Sequence, residues 1–71
     1  MFTKEKIEKI SELCRQWAEH NQRIDVYREL QTYEDDRNES GVRRIYELEA
    51  GVTKENRSLN TIESKIRELI Q

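Results

Sequence analysis

Residues 45–69 read IYELEAGVTKENRSLNTIESKIREL, and the spacing of their apolar members decides the fold. Ile45, Leu48, Val52, Leu59, Ile62, Ile66 and Leu69 alternate between steps of 3 and 4, broken only where Glu55 occupies a position due to be apolar. Side chains recurring every 3.5 residues on average line one face of an α-helix, and a seven-residue repeat sustained over this length is a coiled-coil-type seam. A long helix is predicted from about residue 42 to about residue 70.

Gly51 and Glu55 test the continuity of that helix. A glycine just past a helix end, followed by Thr53 as a fresh N-cap, would divide the segment near 42–50 and 54–70 and give three helices in all. Asn60 with Glu63 has capping-box spacing and is a second restart. The heptad phase passes through Gly51 without a slip, which favours an unbroken or merely kinked helix. Glu55 is expected to escape to water, at a break or by snorkelling. The alternative is a buried charge whose partner sets the register of packing.

Upstream, Ile7, Ile10, Cys14, Trp17 and Ile24 follow steps of 3, 4, 3 and 7, with Leu13 widening the stripe. Thr3 is a natural N-cap, although Lys6 stands where a capping box would place Glu. The first helix is predicted from about residue 4 to the mid thirties. Beyond Ile24 two phases compete, Val26–Leu30–Tyr33 and Ile24–Tyr27–Gln31. His20 and Asn21 mark the point where a kink would fall. Residues 34–41, Glu34 to Gly41, contain no apolar side chain and read as the connection. Two helical segments of matched length joined by a short turn predict an all-α fold, an antiparallel helical hairpin forming one domain over residues 1–71.

Composition narrows the function classes. The chain has 71 residues, 39% of them charged, and only 16 are Leu, Ile, Val or Phe, too few for a large private core. The expected remedy is a homodimer in which two hairpins form a four-helix bundle, burying Ile7, Ile10, Trp17, Ile45, Leu48, Leu59, Ile62, Ile66 and Leu69. No apolar run is long enough to span a bilayer, and the opening Met1–Lys6 has no signal-peptide character, so a cytoplasmic location is expected. The single cysteine and single histidine cannot make an internal disulfide or a zinc motif. With no proline and two glycines there is no phosphate-cradling loop. Neither a cofactor nor a metal is expected, and no catalytic constellation is apparent.

Cys14 falls on the apolar stripe and is expected to be a buried small hydrophobe. His20, six residues on, lies on a different helix face, exposed or half-exposed, which does not suit a nucleophile and its base. The connection carries Glu34, Asp35, Asp36 and Glu39, acids that oppose the dipole of the helix they follow and suit that of the helix they precede. With Arg37, Arg43 and Arg44 beside them, they form the candidate partner-binding patch, joined by Tyr27, Tyr33 and Tyr46 as candidate contact aromatics. Residues 34–51 hold six acids against three bases, and no segment is strongly basic, so nucleic acid is not the favoured partner. A local basic face of Lys54, Arg57, Lys65 and Arg67 is the alternative. Acid-before-base pairs four apart, Glu5–Lys9, Glu19–Arg23, Glu39–Arg43 and Glu63–Arg67, support helices.

The stretch Ala50-Gly51-Val52-Thr53-Lys54 resembles the turn of helix-turn-helix DNA-binding proteins, in which a Gly is followed by an apolar residue and by a Thr or Ser capping the recognition helix. Glu47 and Arg57 stand where that motif has a small and an apolar residue. The resemblance implies a small DNA-binding transcription regulator. The residues themselves point first to a non-enzymatic helical interaction module, a regulator, adaptor or inhibitor of a partner protein.

Overall fold

The computed structural model describes residues 2–71, and two α-helices account for nearly all of them. Helix α1 spans Lys4–Thr32 and α2 spans Glu39–Ile70. They lie side by side, antiparallel, and give the chain extents of 56 × 15 × 10 Å. Its radius of gyration is 16.6 Å, against about 11 Å for a compact domain of this length. The described residues form a single layer with one seam and no second layer to cover it.

Thr3 caps α1, its hydroxyl oxygen accepting from the Lys6 backbone N–H at 3.1 Å. The helix runs through His20 and Asn21 without interruption. It ends in a tightened turn, Tyr33 N–H donating to the Leu30 carbonyl and Glu34 N–H to that of Gln31. The connection is shorter than the polar run suggests, because Asn38 is itself the N-cap of α2 and accepts from Gly41 N–H at 2.7 Å. Its start is held by Asp35, whose carboxylate accepts from Arg37 N–H at 2.9 Å and from the Asn38 amide at 3.4 Å. The acids that sat awkwardly after α1 thus serve the positive end of α2, with Glu39 in its first turn.

Gly41 is buried against the turn it closes. A Cβ there would lie 1.7 Å from the Asp35 carbonyl oxygen, so this close approach admits no side chain. Gly51 does not break α2. Its missing side chain makes room for the Tyr27 ring, whose Cζ would stand 3.1 Å from an added Cβ. Asn60 likewise starts no new helix.

The α2 seam is the predicted one. Val52, Glu55, Leu59 and Ile62 are buried at its centre, while Ile45, Leu48, Ile66 and Leu69 toward its ends are half-buried. The α1 seam is Ile10, Leu13, Trp17, His20, Ile24, Tyr27 and Gln31, continued just past the helix end by Glu34, all half-buried and spaced by the same alternating 3 and 4. Ile7, expected in the core, is 54% exposed. Cys14, expected to be buried, is exposed as well. Both lie one step outside the seam, at the heptad position next to it on the same side of α1.

Candidate functional site

Two polar residues, His20 and Gln31, occupy seam positions of α1, Glu34 continues their spacing just past Thr32, and each of the three meets a polar partner on α2. The His20 Nδ1 and the Glu55 carboxylate pair directly at mid-length, with Arg23 3.8 Å from the other carboxylate oxygen. The Glu55 side chain is only 10% exposed, so the expected escape to water does not occur. An α1 histidine directly opposite makes burial the better solution, since the carboxylate keeps charged and hydrogen-bonding partners while its methylenes fill the seam. Nearer the turn, Gln31 donates to the Ile45 carbonyl at 3.2 Å and to Glu49 at 3.0 Å. At the turn itself, Glu34 accepts from Arg44 at 2.9 Å. Together these contacts fix which residue of α1 stands opposite which residue of α2.

Arg28 also reaches Glu49, and the Gln31 amide followed by the Arg28 guanidinium holds that carboxyl below its ordinary value. Glu12 is lowered in the same way by Arg15 and then Gln16, and Arg15 is raised in return.

The charged residues of the expected patch at the turn pair with one another. Glu34 is tied to Arg44, Glu39 to Arg43 at 3.9 Å, and Asp35 to the turn backbone and Arg37. Tyr27 packs over Gly51, whereas Tyr33 and Tyr46 are exposed on opposite broad faces of the hairpin. The surface pairing is also rearranged. Glu19 joins Arg15 instead of Arg23, Lys4 joins Glu8, and Glu39–Arg43 and Glu63–Arg67 form as expected.

A shallow groove of about 310 Å³ runs beside the central pair, lined by Gln16, His20, Arg57, Ser58, Thr61 and Ile62. The Ser58 and Thr61 hydroxyls donate to the Lys54 and Arg57 carbonyls, and His20 Nδ1 is engaged by Glu55. Cys14 lies on the other side of α1 from this groove. Among the described residues no group of three or more His, Cys, Asp or Glu side chains is arranged to hold a metal ion. No helix of the described residues is long and apolar enough to cross a membrane.

The turn required by the helix-turn-helix resemblance is absent, because Ala50–Lys54 lies inside continuous α2. Lys54, Arg57 and Lys65 share one side of that helix, while Arg67 projects from another and pairs with Glu63. Comparison with protein-family models, with curated proteins and with solved structures gives no match for this chain.

Proposed function

We propose that this chain is a non-enzymatic helical interaction module that works as a homodimer, regulating, adapting or inhibiting a partner protein through the surface of the resulting bundle. One observation carries the reading. Among the described residues, Val52, Leu59 and Ile62 are the buried apolar side chains, and every apolar member of the α1 seam is left half-open. A hairpin of this kind gains little from its own seam against the conformational entropy of ordering two helices. Docking a second hairpin would complete burial of Ile10, Trp17, Ile24 and Ile66 and supply the missing layer.

Sedimentation equilibrium of the full chain at micromolar concentration tests the proposal. The expected species has twice the 8.6 kDa chain mass, and its helical circular dichroism falls on dilution together with the dimer. A stable folded monomer over the whole range overturns it. Salt-dependent binding to a specific DNA duplex, lost in Lys54→Ala or Arg57→Ala, would replace it with the DNA-binding alternative.

A further inference from the structure

In a chain that is 39% charged, one stretch of surface carries almost no charge. It lies on the broad face of the hairpin marked by the Trp17–Glu63 and Arg28–Glu49 contacts, in the half away from the turn. On α1, no residue on this side from Ile7 to Ile24 is charged, and it includes Ile10, Cys14, Trp17 and Ala18. On α2, the facing stretch from Val52 to Ile70 has only Glu63 and Arg67 as charged members. The opposite face at the same level carries Lys9, Glu12, Arg23, Lys54 and Lys65. Ile7 and Ile70, at the open end of the uncharged face, are 54% and 55% exposed.

We infer that this face is where a second copy of the chain docks, the two copies related by a twofold axis passing near Cys14 and Trp17. The inference rests on the homodimer reading and specifies its interface. Charge complementarity selects the occupant. Glu63 and Arg67 are one acid and one base within 4.0 Å of each other, and Glu63 also accepts from the Trp17 indole N–H at 3.1 Å. A face that satisfies its own charges suits an identical face, whereas a strongly acidic or basic partner finds nothing on it to pair with. Area agrees with this choice. For a block of 56 × 15 × 10 Å, half of one broad face is roughly a seventh of the surface, here 5825 Å² in all, on the order of the ~800 Å² that each partner gives to a standard interface. The axis position follows from overlap, because the uncharged stretch from Ile7 to Ile24 covers itself best when its midpoint, between Cys14 and Trp17, meets its own copy.

Cys14 is the chain's one cysteine and is exposed, so it reports on that axis directly. Mild oxidation with diamide should join two wild-type copies through a Cys14–Cys14 disulfide. It should leave Cys14→Ser/Thr61→Cys, whose thiol lies on the opposite face, unlinked although still dimeric. Ala18→Glu places a carboxylate on an exposed helical site of the proposed interface. It should raise the dimer dissociation constant about tenfold or more, while Thr61→Glu leaves it unchanged. A dimer that links through position 61 and not through Cys14, or that tolerates Ala18→Glu, overturns this interface and leaves the homodimer reading standing. A chain that stays monomeric in sedimentation overturns both.

Discussion

The His20 imidazole and the Glu55 carboxylate meet across the middle of the hairpin, Nδ1 to Oε2, with the carboxylate side chain 10% exposed and the imidazole 24%. A pair so placed does two things. It removes a charge from water, which is unfavourable, and it penalises every register in which Glu55 would face an apolar residue of α1.

Removing one partner is therefore expected to harm more than removing both. His20→Leu leaves Glu55 buried with only Arg23 at 3.8 Å, and should destabilise by about 1–3 kcal/mol. His20→Leu combined with Glu55→Leu converts the layer to a continuous apolar seam and should be at least as stable as wild type. Urea unfolding at fixed protein concentration measures both. A double variant no better than either single one would show that the pair contributes net stability and not merely register.

The two seams differ in how far the sequence discloses them, for a reason visible in the same pair. On α2, Glu55 is the single polar residue among eight seam positions, so the heptad is plain and Gly51 does not disturb it. On α1 and just past its end, His20, Gln31 and Glu34 take three of eight positions, while Ile7, Cys14, Val26 and Leu30 lie off the seam and imitate other phases. Periodicity weighs apolarity alone, and these three polar residues belong to the seam through Glu55, the Ile45 carbonyl with Glu49, and Arg44. Pairing that joins residues 10 to 35 positions apart is not written in either helix by itself. The end of the connection was hidden differently, since Asn38 looks like one more polar loop residue until Gly41 N–H is found on its side chain.

Acid should loosen the hairpin near its turn. Glu49 is held below the usual carboxylate value of 4.5, first by the Gln31 amide and then by Arg28. A carboxyl lowered in the folded state stabilises fully above its unfolded pKa, and that contribution is lost as pH falls through the folded one. Glu49→Gln removes the titration, so its thermal midpoint should decline less steeply than that of wild type between about pH 6 and pH 3. Parallel declines in the two proteins would remove Glu49 from the acid response and shift attention to Glu12, lowered by Arg15 and then Gln16.

Alanine should act in opposite directions at the two glycines. At Gly41 the added methyl meets the Asp35 carbonyl oxygen at 1.7 Å. That oxygen is backbone in a turn closed by Asn38 and Asp35 hydrogen bonds, so relief requires opening the turn. Gly41→Ala is expected to destabilise by about 2–3 kcal/mol or more, the scale of overpacking against atoms that cannot yield. At Gly51 the methyl meets only the Tyr27 ring, at 3.1 Å from Cζ, and that ring is half-buried and hinged at its own Cβ. A tilt of a few tenths of an ångström clears it, and alanine then returns up to about 1 kcal/mol of helix propensity in the middle of α2. Gly51→Ala should therefore be neutral to stabilising in thermal unfolding, and a stabilised variant would show that no break at residue 51 is needed for folding. A loss as large as that at Gly41 would mean that Tyr27 cannot move and that its seat on Gly51 is as fixed as the turn.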